Sequence, residues 1–378
     1  MTLIAVAALS ARWLAEAAAR EGFEVIALDL FGDVDTRRAA SHWRSIGSAA
    51  TLRIEPSLLL DALADVARRG DVLGWLPGGG LEGDADLLAR GAALLPLLGT
   101  APEDVRRVRD PRVFFDVLDA HRIAHPPVGF DRPAARDGWL VKDMAGCGGW
   151  HIASAGSTSA MADRAWPPSA YFQREVRGMP MSATFIANGR DAVVLGCNRM
   201  LMQRIDAHPF VFAGVIGPVP LDAPLAQRID SAVRQLAAVF ALRGVCSLDF
   251  MLDGEEFLAL EINPRAPASM ALYGERGGTV AAHVRACLHH ELPTRVPDAA
   301  FVHGHRFVFA HAALHLSEAA AQQLGAWPGC HDLPAAGTPF ARNDPVCSVS
   351  AQGANADEVE HRLAQQRDAL LAALENQP

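Results

Sequence analysis

The chain has 378 residues, of which half are hydrophobic and a fifth are charged, a composition typical of a globular protein. This length exceeds one typical hydrophobic core, so we expect two or three domains. The formal net charge of −9 at pH 7 argues against a general nucleic-acid binder, and no apolar run reaches the length of a membrane span.

Six cysteines are scattered without the spacing of a disulfide framework or a zinc site. That usage is typical of reduced thiols in a cytoplasm. The apolar stretch 4–7 has no basic region before it and fits a first strand better than a signal peptide. We therefore expect a cytoplasmic protein without nucleic-acid or membrane partners.

Residues 1–98 alternate strands and helices, which predicts a Rossmann-like domain. The predicted elements are strands at 3–8, 23–29 and 72–76 and helices ending at Gly22 and spanning 56–69. No G-x-G-x-x-G motif follows the first strand, so a dinucleotide site is not predicted. The glycine run 78–80 could hold an anion in its backbone amides or form a flexible turn.

The pattern changes between residues 99 and 300, where hairpins alternate with isolated helices. The predicted elements are a helix at 111–122, strands at 138–143 and 169–176, a hairpin of 182–187 with 192–200, and an amphipathic helix at 223–242. The remaining residues, 301–378, predict a small β-rich unit that ends in a helix at 356–374.

A glycine-rich loop follows the strand that carries Lys142. A lysine at the end of a strand can reach phosphates while loop amides approach them closely. By itself the pattern is more often only a turn. Because residues 145–149 contain no large apolar anchor, we expect this loop to be mobile without nucleotide and ordered with it.

The most informative segment is an acidic hairpin that presents Asp249, Glu261 and Asn263. Residues two apart on a strand share a face, so Glu261 and Asn263 project together. A two-residue turn at Asp253 and Gly254 would send Glu261 away from Asp249, whereas a three-residue loop with left-handed Gly254 would bring them together. We predict the three-residue loop, since an unpaired carboxylate in an apolar run would be costly. Such an all-oxygen cluster suits Mg²⁺.

In order and spacing, residues 100–290 resemble the ATP-grasp superfamily of carboxylate–amine ligases. The stretch 260–265, which reads Leu-Glu-Ile-Asn-Pro-Arg, is the most specific part of the match. The flanking segments resemble those of biotin carboxylase and of purine-pathway ATP-grasp enzymes. The resemblance implies α/β and α+β folding: a Rossmann-like domain (1–98), a two-lobed ATP-grasp core (99–300) and a small β-rich C-terminal domain (301–378).

The resemblance also implies a division of roles among the candidate residues. Lys142 would contact the α- and β-phosphates of ATP, and Arg265 would lie where an acyl phosphate forms, with a structural ion pair as its alternative role. The remaining implied roles are a phosphate lid containing Gly146, Gly148 and Gly149, a hinge at the adenine edge containing Gln173, Arg174, Glu175 and Val176, and Mg²⁺ ligands Asp249, Glu261 and Asn263, with Mn²⁺ as a substitute metal.

Two features depart from the family pattern. ATP-grasp proteins often carry a lysine where this chain has Pro111, and the sequence does not decide whether Arg109 or Arg112 substitutes for it. Many relatives also carry an acidic residue near the hinge that binds the ribose, for which Glu175 is only a weak candidate.

The predicted function is an ATP-dependent ligase that joins a small-molecule carboxylate to an amine through an acyl phosphate. A looser resemblance to ATP-grasp proteins linked to one-carbon cofactor synthesis suggests a role in cofactor biosynthesis. Arg199 and Arg204 are either further candidates for binding a substrate carboxylate or ordinary surface residues, and the sequence favours neither role. The alternative is a nucleotide-binding regulatory or scaffolding protein without turnover. The prediction leaves room for a homodimer.

Overall fold

One parallel sheet and two antiparallel sheets carry most of the strands. The structure, a computed structural model, describes residues 1–156, 169–276, 278–294 and 300–375. The mixture of parallel and antiparallel sheets with helices confirms the predicted fold class. No helix in these described ranges is long and apolar enough to cross a membrane.

The N-terminal part folds around the parallel sheet. Its elements are β1 (Thr2–Ala7), α1 (Arg12–Arg20), β2 (Phe23–Asp29), α2 (Val34–Ala39), β3 (His42–Ser45), β4 (Gly47–Ser48), β5 (Arg53–Ile54), α3 (Pro56–Ala67), β6 (Val72–Pro77) and α4 (Ala85–Ala92). The four main strands pair in the order β3-β2-β1-β6. Every residue of β1 after Thr2 is buried, as expected for a parallel strand covered on both faces.

Two short helices and a small antiparallel sheet follow. These elements are α5 (Pro102–Arg109), α6 (Pro111–Ala120), β7 (Val128–Gly129), β8 (Trp139–Asp143), β9 (Ile152–Ser154) and β10 (Ala170–Arg174). The strands pair in the order β7-β10-β8-β9. Asp110 caps α6 by accepting a hydrogen bond from the Arg112 backbone N–H, as the Asp-Pro pair predicts.

The remaining elements build the large antiparallel sheet and its helices. They are β11 (Met179–Asn188), β12 (Ala192–Ile205), β13 (His208–Gly217), α7 (Ala223–Val239), β14 (Arg243–Asp253), β15 (Glu256–Asn263), a 3-10 helix (Ala268–Arg276), α8 (Thr279–His289), β16 (Val302–Phe309), β17 (Leu314–His315), α9 (Glu318–Ala326), β18 (Cys330–His331), β19 (Pro339–Phe340), β20 (Pro345–Gly353) and α10 (Ala356–Glu375). The order in the sheet is β15-β14-β11-β12-β13-β16-β20-β18.

The two faces of the large sheet have different neighbours. Phe250 packs into the core that contains the buried residues of α7. Val245 points the other way, into a core shared with α1 and α8. Because side chains alternate along a strand, Asp249 lies on the same face as Val245. The predicted metal ligand is therefore directed toward the N-terminal part of the chain.

The C-terminal strands extend this sheet, since β16 pairs with β13. A buried ion pair also joins this part to the N-terminal sheet. Arg12 contacts Asp332 through its Nε at 3.0 Å, and Asp35 accepts hydrogen bonds from the backbone N–H groups of Asp332 and Leu333. The sequence-derived domain boundaries stay a prediction.

His283 connects the N-terminal part to the strand that carries Asp249. The Val245 backbone N–H donates to His283 Nδ1 at 2.8 Å, and His283 Nε2 donates to the Leu98 carbonyl at 2.9 Å. This arrangement requires a neutral ring, and burial lowers the pKa of His283 to about 4.

Folding stability is therefore expected to fall as the pH drops from 6.5 toward 4. A depressed histidine pKa means that the unfolded chain takes up the proton first, so the contribution is complete above the unfolded pKa and is lost below it. Between pH 6.5 and pH 5, the free energy of unfolding should decrease by on the order of 1–2 kcal/mol more in the wild type than in His283→Asn. Parallel curves for the two proteins in denaturant titrations would exclude this role.

Candidate active site

The acidic hairpin brings Asp249 and Glu261 directly opposite each other. The predicted three-residue loop is wrong, because the strands are joined by the two residues Gly254 and Glu255. Gly254 has a φ of +60°, the conformation that a two-residue turn with glycine first requires. The register is corrected instead by a bulge at Leu260, between the pairs Phe250–Ala259 and Asp249–Glu261.

Each carboxylate of the pair has its own hydrogen-bond donors. Asp249 accepts from Asn263 Nδ2 at 2.9 Å and from the Ser247 hydroxyl at 3.3 Å. Glu261 accepts from Arg109 Nη1 at 2.9 Å. Burial and the neighbouring charge of Glu261 raise the pKa of Asp249. Burial also opposes ionisation of Glu261, but the positive charge of Arg109 outweighs it and the pKa of Glu261 is lowered.

Lys142 lies in β8 with 6% of its surface exposed. Burial lowers the pKa of Lys142, although Glu261 and Asp249 both favour its charged form. Its ammonium has no hydrogen-bond partner among the described residues. A buried lysine near two carboxylates but bonded to neither retains donors for a further anion.

Arg109, the last residue of α5, is the arginine that enters the site. Besides Glu261, it contacts the carbonyls of Met144 and Gly146 through Nη2 at 3.0 and 3.1 Å. Arg112 is exposed and lies over the Phe130 ring at 4.0 Å. Of the two arginines that the sequence left open, only Arg109 contacts the candidate active site.

The glycine-rich loop lies against two other segments. Gly148 accepts a hydrogen bond from the Phe212 backbone N–H at 2.9 Å. Gly149 has a φ of +78°, and a Cβ atom there would approach the Phe210 carbonyl oxygen to 1.7 Å. Glycine at 149 is therefore required for the loop to lie on β13. The backbone N–H groups of Gly148 and Gly149 have no partner within the described ranges.

Hydrogen exchange in residues 145–149 should slow when Mg²⁺ and ATP are added. The loop is held by few bonds, and its free amides would gain phosphate partners. We expect a decrease of about tenfold in exchange rate, the size of one or two added hydrogen bonds. Equal exchange with and without Mg²⁺-ATP would identify the loop as a static turn.

The predicted hinge connects the small sheet to the large one. The backbone N–H groups of Arg174 and Glu175 already donate to the carbonyls of Pro127 and Gly138. Among the described residues, the Val176 N–H has no such partner. Gln173 is 1% exposed, and its Nε2 is buried without a partner in the described ranges. The roles of these four residues at the adenine edge stay predictions.

Arg265 forms a buried ion pair with Glu82, a residue that the sequence did not single out. Arg265 donates to Glu82 Oε1 from Nε at 3.0 Å and from Nη2 at 2.7 Å. Burial opposes ionisation of Glu82, but the charge of Arg265 lowers the pKa of Glu82 to about 2. Arg265 also donates to the Asn263 amide oxygen at 3.1 Å. The structural ion pair that was the alternative role of Arg265 is therefore present. The action of Arg265 on an acyl phosphate stays a prediction.

Arg199 does not line this site. It forms ion pairs at 2.8 and 3.0 Å with Asp357 and Glu360 of α10. It shares a face of the large sheet with Met181, which packs into the core formed with α7. Of its two predicted roles, binding a substrate carboxylate at this site does not hold for Arg199, since its partners lie on the opposite side of the sheet from Asp249.

A small cleft opens next to Arg109 and Glu261. Its walls include Tyr171 from the small sheet and Leu260 from the large one, so the cleft lies between these two sheets. His151, which the sequence did not single out, also lines it. The pKa of His151 is lowered by burial, and its Nδ1 is buried without a partner among the described residues.

The donor set fits a Mg²⁺ ion and a phosphate chain. Asp249, Glu261 and the amide oxygen of Asn263 are hard oxygen ligands on one face of the sheet. The surrounding donors fix their orientation, as groups behind metal ligands usually do. On the opposite side, the ammonium of Lys142 and the buried Arg109 Nε, both without a partner in the described part of the chain, are donors suited to anionic oxygens.

Comparisons with known proteins relate this part of the chain to ATP-grasp domains. Residues 109–269 match the family model described as the ATP-grasp domain. The chain is 23% identical over 209 residues to the carbamoyl phosphate synthase large chain of Myxococcus xanthus (strain DK1622). That match covers 51% of this chain but only 19% of the relative, so the chain spans about a fifth of that protein's length.

Two solved structures share the fold over almost the whole chain. The L-amino acid ligase from Bacillus licheniformis aligns with a TM-score of 0.72 and 11% identity, covering 97% of each chain. The biotin carboxylase domain of Hydrogenobacter thermophilus 2-oxoglutarate carboxylase, solved with MgADP, ADP and bicarbonate, aligns with a TM-score of 0.70 and 12% identity. It covers 100% of this chain and 94% of its own. Residues 109–269 therefore match an ATP-grasp domain, and the chain as a whole shares the overall fold of these two structures.

Proposed function

We propose that this protein is an ATP-dependent ligase that joins a carboxylate to an amine through an acyl phosphate. The observation that carries the proposal is the pair Asp249–Glu261 with Asn263 beside it and Lys142 nearby. A protein that only bound nucleotide would have little need for the three proposed metal ligands. An L-amino acid ligase and a carbamoyl phosphate synthase among the similar proteins support chemistry at nitrogen.

The residues on one side of the cleft would bind the metal, and those on the other side would bind the phosphates. Asp249, Glu261 and Asn263 would hold Mg²⁺, which when bound supplies positive charge to the β- and γ-phosphates. Lys142 would hold phosphate oxygens from the small sheet, and the backbone N–H groups of Gly148 and Gly149 would cover them. Gln173, whose Nε2 is buried without a partner among the described residues, would offer its amide N–H to the adenine edge. These contacts position and neutralise the triphosphate, and positioning is most of what phosphoryl transfer needs.

The reaction then has two balanced steps. A carboxylate oxygen of the acid attacks the γ-phosphorus, the bond to the bridging β–γ oxygen breaks, and ADP leaves. The amine attacks the acyl carbon, the carbon–oxygen bond breaks, and phosphate leaves while the nitrogen loses a proton. Arg265, whose planar fork matches such oxygens, would stabilise the negative charge that develops in either step.

A screen of acids and amines tests this proposal. Release of ADP and phosphate should require one acid and one amine together, and ¹⁸O in the carboxylate of that acid should appear in the phosphate. Glu256 is exposed and lies in β15, the strand that carries Glu261. Glu256→Gln should keep this activity and is therefore the control for Glu261→Gln. Phosphate without the label would rule out an acyl phosphate. A role in cofactor biosynthesis stays a prediction until the acid is known.

A non-catalytic nucleotide-binding role is the second candidate. The engagement of Arg265 by Glu82 favours it, because an arginine held in an ion pair is less available to a reacting group. Under this alternative, Mg²⁺-ATP would bind and remain intact with every acid and amine tested. ATP consumption above the level of Glu261→Gln in the presence of any pair would exclude it.

A further inference from the structure

Arg109 connects a predicted metal ligand to the predicted phosphate loop through one side chain. Its guanidinium donates to Glu261 from Nη1 and to the carbonyls of Met144 and Gly146 from Nη2, all at 2.9 to 3.1 Å. These partners belong to β15 in the large sheet and to the loop after β8 in the small sheet. A movement of the guanidinium therefore affects both lobes at once.

The contact is buried and its hydrogen bonding is incomplete. Arg109 is 9% exposed, and its Nε is buried with no partner in the described residues. Glu261 and Glu82 both favour the charged form of Arg109. With Asp249 directly opposite Glu261, the guanidinium supplies positive charge to a carboxylate pair that would otherwise carry two negative charges at close range.

A metal ion at Glu261 would compete with this guanidinium. Both cations are attracted to the same carboxylate, and they repel each other at short distance. Filling the metal site therefore weakens the Arg109–Glu261 bond. The freed donor, together with the orphaned Nε, is then available to a phosphate oxygen near the loop.

We propose that Arg109 is a positioning residue that couples metal binding at Glu261 to closure of the glycine-rich loop. This inference rests on the proposed function, because it takes Glu261 as a metal ligand. Without metal, Arg109 neutralises Glu261 and holds the loop through the Met144 and Gly146 carbonyls. With metal and nucleotide, its donors turn from Glu261 to phosphate while its backbone stays fixed at the end of α5.

Two substitutions separate the charge of Arg109 from its geometry. Arg109→Gln removes the competing charge, so Mn²⁺ affinity in the absence of nucleotide should rise about tenfold, the size of one lost charge contact of this kind. Loop exchange at residues 144–149 should also become about tenfold faster, since the bonds to the loop are lost. Arg109→Lys keeps the charge but cannot reach all three partners. Its Mn²⁺ affinity should stay near wild type while its loop exchange is fast.

Arg112→Gln is the matched control, because it removes the same charge from an exposed position three residues away. It should change neither Mn²⁺ affinity nor loop exchange. Mn²⁺ affinity would be measured by electron paramagnetic resonance of the free ion, and loop exchange by mass spectrometry. Weaker Mn²⁺ binding in Arg109→Gln, or loop exchange equal to wild type, would overturn the coupling. Absence of Mn²⁺ binding in both wild type and Arg109→Gln would instead remove the metal site itself, and with it the proposed function.

Discussion

Glu261→Gln is expected to remove most ATP turnover while leaving the protein folded. The substitution preserves size and an acceptor for Arg109, but it deletes one of the two charges that face each other across β14 and β15. Because those charges would hold the metal that neutralises the triphosphate, we expect a loss of about 100- to 1000-fold in kcat. Turnover would be followed by release of ADP and phosphate.

The control for this prediction is Glu256→Gln, which changes an exposed carboxylate in the same strand. Both variants should unfold within a few degrees of the wild type, because Glu261 is half-buried and retains a hydrogen bond. Normal turnover in Glu261→Gln would exclude the metal assignment. Loss of turnover together with loss of the folded state would not support it either, and Asp249→Asn would then repeat the test on the facing strand.

Arg265→Ala is expected to lower both folding stability and turnover per bound ATP. Glu82 has a side chain that is only 1% exposed and would be left without its cation. Breaking a buried ion pair from one side costs about 3–5 kcal/mol of folding stability. If Arg265 also acts on the acyl phosphate, the variant should lose about 2–4 kcal/mol of transition-state stabilisation, measured as slower turnover per bound ATP. ATP affinity in calorimetry should change little.

Glu82→Gln distinguishes the two roles of Arg265. It weakens the same ion pair but leaves the guanidinium in place, so stability should fall while turnover per bound ATP stays within a few-fold of wild type. Arg265→Lys keeps the charge without the planar fork and should recover only part of the rate. If Arg265→Ala loses stability but keeps turnover per bound ATP, Arg265 is only a structural partner of Glu82.

The acidic hairpin indicates what the sequence could and could not predict. The residue types and the left-handed Gly254 were readable from the local pattern. The bulge at Leu260 was not, because a bulge is set by how two strands accommodate each other and by what covers them. A one-residue change in register turns the side chains of a strand to the opposite face of the sheet. The predicted loop was one residue too long and the bulge was not predicted, so the two errors cancelled. Asp249 and Glu261 were therefore predicted on the correct face.

The contacts of the arginines could not be predicted from the sequence. Arg109 and Arg112 are three residues apart, and only the break between α5 and α6 directs one into the cleft and the other over Phe130. Arg265 pairs with Glu82, which is 183 positions away in the chain. Such pairs depend on how the N-terminal part docks on the large sheet, which no local periodicity encodes.

The position of a bound metal ion would test the proposed site directly. Crystals grown with Mn²⁺ and ADP would locate the ion by its anomalous scattering. We expect a peak between the carboxylates of Asp249 and Glu261, within about 2.0–2.4 Å of their oxygens, with the β-phosphate near Lys142 Nζ. Nucleotide bound without metal at this pair, or a peak on the other side of the sheet, would contradict this expectation.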